Sequence, residues 1–235
     1  MSVSSTDEGK KALPQVLYED NHLIAVNKQV SHLVQGDRTG DEALDAILKE
    51  YLKEKYNKPG RVFLGVVHRL DRPVSGVTLF ARTSKGLARM NELFRLGKIQ
   101  KTYWAITKDL PPQESGILKH YLKKNRSRNK SYAYDTPVAG SKEAKLAYRL
   151  IHRLDNYCLL EIDLMTGRHH QIRCQLSTIG CPVKGDLKYG FPRSNPDGGI
   201  SLHAREVVFE HPVKNEKLKI SAPLPDEKMW NLFKQ

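Results

Sequence analysis

Cysteine is scarce in this chain of 235 residues: there are three, an odd number, and no two form a Cys-x-x-Cys pair. That argues against a disulfide-stapled scaffold and for a reducing compartment. No apolar run approaches the roughly 20 residues that cross a bilayer. Residues Met1 to Lys11 also lack the apolar centre of a signal peptide, so a cytoplasmic protein is expected. Phosphate-cradling loops are missing as well. The sequence has neither Gly-x-x-x-x-Gly-Lys-Ser/Thr nor Gly-x-Gly-x-x-Gly, which leaves a nucleotide cofactor without support. The nearest thing to a metal set is His170 and Cys174, i,i+4 on an expected helix, with Cys181 beyond. No second Cys or His pair completes a tetrahedron at usual spacing, so a metal is disfavoured. Supersecondary repeats and Gly/Ser-rich linkers are absent too. Residues 13–235 therefore read as one domain behind a disordered polar tail at residues 1–12.

Positive charge is what the chain has in excess. Lys and Arg number 39 against 26 Asp and Glu, a formal charge of +13. Such an excess concentrates polyanions, nucleic acid above all. A basic soluble protein without that partner remains open on composition alone. Length and a 39% hydrophobic content allow a substantial core.

Elements follow from periodicity and punctuation. Gln15–Tyr18 and His22–Val26 flank Glu19-Asp20-Asn21 and read as a hairpin. Asp41 begins a helix whose Leu44, Ile47, Leu48, Tyr51 and Leu52 share a face. Apolar runs at Val62–Val67 and Val77–Ala81 bracket a bend, and Ser84 caps a helix that Gly97 stops. Ile99–Thr107, Leu146–Leu154, Tyr157–Met165, Val207–Phe209 and Leu218–Ile220 read as strands. Thr166-Gly167 opens a cationic segment that becomes a helix to Gly180, and Asp226 caps a last short helix. Strands and hairpins with few helices imply an α+β fold around a mixed sheet.

The bend is the chemical centre of interest. In Val66-Val67-His68-Arg69-Leu70-Asp71-Arg72-Pro73-Val74-Ser75-Gly76-Val77, one carboxylate stands among arginines between two apolar runs. Pro73 restricts itself and Arg72, and Gly76 permits a φ that other residues resist. An acid so placed stays ionised and faces whatever the bend exposes. On residue types alone, an acid that merely shapes a loop is the more ordinary use. The same four letters recur at His152-Arg153-Leu154-Asp155, but there Asn156 follows between two strands, the setting of a tight turn.

Other clusters could serve such an acid. Arg173, in Thr166-Gly167-Arg168-His169-His170-Gln171-Ile172-Arg173, is a candidate partner. Cations at a helix start sit against the helix dipole and call for a negative neighbour, whether Asp71 or phosphate. Tyr103 is ordinarily a sheet-face aromatic, yet could stack on an unpaired base. The basic stretch Lys119–Lys130, with tyrosines following, reads as a solvated hairpin tip or a phosphate grip.

These residues together resemble the RluA-type RNA pseudouridine synthases, from about Val16 to the C-terminus. That family's His-Arg-Leu-Asp-x-x-Thr-Ser-Gly appears as His68 to Gly76, its Lys-x-Tyr-x-Ala as Lys101 to Ala105, and its Thr-Gly-Arg-Thr-His-Gln-Ile-Arg as Thr166 to Arg173. Gly185-Asp186-Leu187-Lys188-Tyr189-Gly190 and Leu202-His203-Ala204 follow in the family's order. Val74 and His169 depart from its threonines, and Lys28-Gln29-Val30-Ser31 replaces its early Lys-Pro-x-Gly turn. The departures leave the acid, tyrosine and arginine untouched and bear on substrate choice.

The resemblance implies a mixed, largely antiparallel sheet flanked by helices, with the site in a cleft across it. It implies a single catalytic domain over 13–235, without the small N-terminal RNA-binding domain some relatives carry. Asp71 would act on a flipped-out uridine, Tyr103 would stack on the base, and Arg173 would pair with the acid. Ile172 would pack beside the acid, and Arg69 would enter the RNA stack. Arg72, Arg168, His170, Lys123, Lys124, Arg126 and Arg128 are the further expected RNA contacts. Moving a base from N1 to C5 attachment needs no oxidant or donor, so no cofactor and no metal are expected. Ribosomal or transfer RNA is the expected partner of a monomer that touches no membrane. Three alternatives stand beside this. An RNA-binding module without catalysis would share the charge but not need Asp71, Tyr103 and Arg173 together. A glycoside hydrolase would need two cooperating carboxylates. A metal-dependent nucleic-acid hydrolase is disfavoured with the metal.

Overall fold

In the structure, a computed structural model that describes residues 13–37 and 40–233, Asp20 shapes the first turn. Its carboxylate accepts from the backbone N–H groups of His22 and Leu23, both at 2.8 Å. This closes the expected hairpin of β1 (Val16–Glu19) and β2 (Leu23–Lys28). The expected tail at residues 1–12 lies outside the described residues. Helix α1 (Leu44–Lys55) follows, starting three residues later than Asp41. Backbone carbonyls of Leu33 and Val34 take the N–H groups of Leu44 and Asp45, so the helix starts there without a side-chain cap. Asp41 instead meets the guanidinium of Arg72 at 2.6 Å.

The run Val62–Val67 forms only a two-residue strand, β3 (Gly65–Val66), against β4 (Ser75–Ala81). That edge of β4 is shared: its start pairs with a later strand, and only its end remains for β3. Helix α2 (Ser84–Arg95) is capped by Thr83 rather than Ser84, with Oγ1 accepting from the Gly86 N–H at 3.0 Å. Then come β5 (Gln100–Thr107), β6 (Ser115–Asn125), β7 (Lys130–Tyr134), β8 (Lys142–Arg153) and β9 (Cys158–Leu164). β8 begins earlier than expected because Lys142 already pairs with Leu122 of β6. Helix α3 (Gln171–Thr178), β10 (Leu202–Glu210), β11 (Lys217–Ser221) and α4 (Lys228–Asn231) complete the order. Asp226 does not cap α4; Glu227 holds that position, and Asp226 accepts from Asn231 Nδ2 at 3.1 Å.

The sheet has eleven strands, running β1-β2-β4-β10-β5-β9-β8-β6-β7, with β3 beside β4 and β11 beside β10. Among the described residues every strand pairing is antiparallel except β4 with β10. The expected mixed, largely antiparallel α+β sheet is thus what forms. In β2, Ile24 and Val26 face one core with α1, while Leu23 and Ala25 face the other with Met90 of α2. This part of the sheet is covered on both sides, which is why Leu23–Val26 of β2 and, Thr78 apart, Val77–Ala81 of β4 read as apolar runs. No helix among the described residues is long and apolar enough to cross a membrane.

Candidate active site

Asp71 lies between β3 and β4, where its carbonyl accepts from the Val74 N–H at 3.0 Å and closes the bend. Lys28, wholly buried at the end of β2, props the bend from beneath. Its Nζ donates to the carbonyls of Arg72 at 3.0 Å and Val74 at 2.6 Å. Ser31 N–H also donates to the Arg72 carbonyl, and Ile200 N–H to that of Pro73. The first β4 residues are locked by β10. Gly76 has φ +115°, and a Cβ there would stand 2.3 Å from the Ala204 carbonyl oxygen. Only glycine allows this approach. His68 is structural: its Nε2 accepts from the Leu79 N–H at 3.1 Å and its ring stacks on Phe94. Burial, with Lys101 adding, pushes its pKa down to about 4, so it is neutral at pH 7.

The acid and the expected arginine meet. Arg173 Nη1 donates to Asp71 Oδ2 at 2.9 Å, across 102 residues of chain. The same guanidinium is held from behind by Asp186, through Nε at 2.6 Å and Nη2 at 2.9 Å. Asp186 is 1% exposed and Arg173 5%. A bidentate, buried grip of this kind fixes the plane of the guanidinium, which leaves one Nη aimed at Asp71. Tyr189 closes over the group, its ring centroid 5.2 Å from the guanidinium carbon.

His170 is not a surface cation. It stands in the left-handed region at the start of α3, φ 54°, with Nε2 3.5 Å from Asp71 Oδ2 and Nδ1 3.1 Å from the Tyr189 hydroxyl. Burial outweighs the pull of Asp71 and brings its pKa down to about 3. Ile172 is buried in the core and lines the same cavity as Asp71. Tyr103, on β5, is 8% exposed and lines the same cavity. Burial first, then the charge of Asp71, raises its phenol pKa, so the hydroxyl keeps its proton.

These groups open into a cavity of about 840 Å³, within the range of roughly 300–1,000 Å³ typical of ligand sites. Phe94 and Arg95 of α2 form one wall, and the Leu164–His170 segment forms another. Asp71 is the only acid among the described residues that line it. Arg69 is exposed at the rim and also borders a smaller neighbouring cavity. Arg168 lines the main cavity while its Nε donates to the Glu143 carbonyl.

Lys123, Lys124, Arg126 and Arg128 stand exposed on the β6–β7 hairpin at the sheet edge. The hairpin is tied to the site through His169. One ring nitrogen is 2.9 Å from Ser131 Oγ, the other 3.0 Å from Asn129 Oδ1, and the ring stacks on His170 with centroids 3.8 Å apart. Asp155, in the second His-Arg-Leu-Asp, lies exposed in the β8–β9 turn. Cys174 Sγ donates to the Ser131 carbonyl, and among the described residues no three His, Cys, Asp or Glu gather as a metal would need.

Lys28, Asp186 and Tyr189 were missed as site residues. The Gly-Asp-x-x-Tyr-Gly pattern is a signal for the last two, and the lysine retained from the family's early Lys-Pro-x-Gly turn is a signal for Lys28.

The family model described as RNA pseudouridylate synthase matches residues 22–178, more than half of the chain. The chain belongs to the RNA pseudouridylate synthase family. As such a synthase it is an isomerase of uridine in RNA. The ribosomal large subunit pseudouridine synthase C of Rickettsia typhi is 35% identical, covering 92% of this chain and 70% of that protein. The tRNA pseudouridine synthase C of Vibrio parahaemolyticus is 29% identical, covering 90% of this synthase and 91% of its own length. Among solved structures, human RNA pseudouridylate synthase domain containing 4 superposes with a TM-score of 0.76 at 24% identity. It covers 90% of this chain and 89% of that one, and shares the fold.

Proposed function

We propose that Asp71 is the catalytic carboxylate of this synthase, acting on a uridine turned out of a structured ribosomal or transfer RNA. The observation that carries the reading is that Asp186 holds Arg173 against Asp71, the one acid among the described residues that line the cavity. Asp71 attacks the sugar or removes a proton from it; either way the N1–C1′ bond breaks. The uracil turns, C5 bonds to C1′, and the C5 proton is lost as N1 gains one. Atoms balance without water or redox partner. Arg173 orients the carboxylate, and His170 stands as a neutral ring 3.5 Å from the same oxygen.

Turning the uridine out costs a few kcal/mol. Stacking on Tyr103 returns about 1–3 kcal/mol, and Arg69 takes the vacated place in the RNA stack. The charge of +13 and the exposed β6–β7 cations grip phosphates without reading sequence. Selection then rests on RNA shape and on which uridine can leave its stack. The protein acts in the cytoplasm as a monomer in this reading.

The experiment is chemical mapping of pseudouridine in total RNA from a strain lacking the protein, before and after incubation with it. New pseudouridine at one or a few sites in ribosomal or transfer RNA is expected. If RNA is bound but no site changes, the inactive binding module replaces this reading.

A further inference from the structure

Among the cations lining the cavity, most have a partner within the protein. Arg173 is held by Asp71 and Asp186, Arg95 by Glu92, and Arg168 by the Glu143 carbonyl. Arg69 is exposed and needs none. Lys101 is different. It is half-buried on β5, lines the cavity, and has its Nζ 5.8 Å from the Phe94 ring centroid. Loss of solvent lowers its pKa, and no carboxylate among the described residues opposes that loss. Its charge bears instead on His68, a neutral ring. The Phe94 face offers a weak cation–π attraction, but neither it nor the neutral imidazole supplies the counter-charge that offsets a desolvated ammonium.

Position gives the placement a use. Lys101 and Tyr103 are two residues apart on one strand, so they share a face with Cα atoms about 6.6 Å apart. Lys101 Nζ stands beside Phe94 in the lining of the cavity that Tyr103 also faces, so a nucleotide whose base lies on the Tyr103 ring can bring a phosphate to it. We propose that Lys101 binds the phosphodiester adjoining the target uridine, so the desolvated ammonium gains its counter-charge only when the nucleotide has entered. The proposal rests on the uridine-isomerase reading above and adds a phosphate subsite to it. Unlike the hairpin lysines, which grip RNA wherever it lies, this lysine would meet only the turned-out nucleotide.

The test is a double-perturbation cycle on a stem-loop RNA containing the mapped uridine. One perturbation is Lys101→Met, which keeps the stem and loses the charge; the other is a neutral methylphosphonate beside the target uridine. Conversion of the unmodified stem-loop by the wild-type protein scores the isomerase reading independently. Lys101→Met is expected to raise KM by about ten- to a hundredfold, as for a lost charge-assisted hydrogen bond. It should flatten the salt dependence of binding by about one unit of slope, and Lys101→Arg should recover most of the loss. The methylphosphonate should weaken the wild type comparably and Lys101→Met little further. The thermal midpoint of Lys101→Met should hold or rise. Additive losses in the cycle overturn the proposal, as does a lowered midpoint with KM and salt slope unchanged, which would mark a structural lysine.

Discussion

At Arg173 two carboxylates share one guanidinium, and the deeper one holds it twice. Asp186 therefore sets the geometry that Asp71 uses. Asp186→Ala leaves a buried cation with half its partners, and should cost about 3–5 kcal/mol in a urea titration. A cost below about 1 kcal/mol would show that the pair is not what holds the arginine in place. Tyr103 gives a second residue-scale prediction. Tyr103→Leu keeps an apolar side chain in the core but removes the stacking face. Its kcat/KM should fall roughly ten- to a hundredfold, the loss expected of one base–aromatic stack. An unchanged kcat/KM would remove Tyr103 from the site.

At the scale of elements, the acid bend is positioned by contacts from three directions: β2 through Lys28, β10 through Gly76, and α3 through Arg173. Gly76→Ala would push a Cβ into the Ala204 backbone at a φ that alanine resists. About 3 kcal/mol or more should be lost, with β4 and β10 parting at their parallel junction. A circular-dichroism melt of the variant against the wild type reads the loss. The β6–β7 hairpin is fastened near its tip twice, by His169 to Asn129 and Ser131, and by Tyr189, whose hydroxyl accepts from the Ser131 N–H at 2.8 Å. His169→Ala should speed hydrogen exchange across Asn129–Ser131 while leaving the β8–β9 amides protected. Equal exchange in both proteins would mean the hairpin needs no such tie.

At the scale of the whole molecule, several histidines are buried as neutral rings. Burial brings His203 and His68 down to about 4 and His170 to about 3. The unfolded chain takes up protons near pH 6.5 that these sites refuse. Stability is therefore full above about pH 6.5 and drains as pH falls toward 4. Thermal midpoints measured across that window should decline steadily, and His203→Gln should flatten part of the decline.

The same scale shows what could be read in the sequence. Strong alternation and continuous apolar runs located β2, β4 and β5, because local periodicity reports which faces are covered. Asp71, Tyr103 and Arg173 stood out through their motifs, and the structure gathers them in one cavity. The role of Lys28 was not legible: its lysine matches the family's early turn, but only the folded chain brings its Nζ under the carbonyls of Arg72 and Val74. Nor was the strand order: β10 slots between β4 and β5, a long-range pairing that no local pattern encodes. Helix starts shifted where backbone carbonyls or a neighbouring threonine supplied the cap.

The central claim is that Asp71 does chemistry rather than shape its loop. Single-turnover conversion of the mapped stem-loop uridine by Asp71→Asn, with binding measured on the same RNA, tests it most directly. Conversion should fall by on the order of 10⁴-fold or more, with affinity and thermal midpoint close to wild type. Conversion within tenfold of wild type would contradict the account.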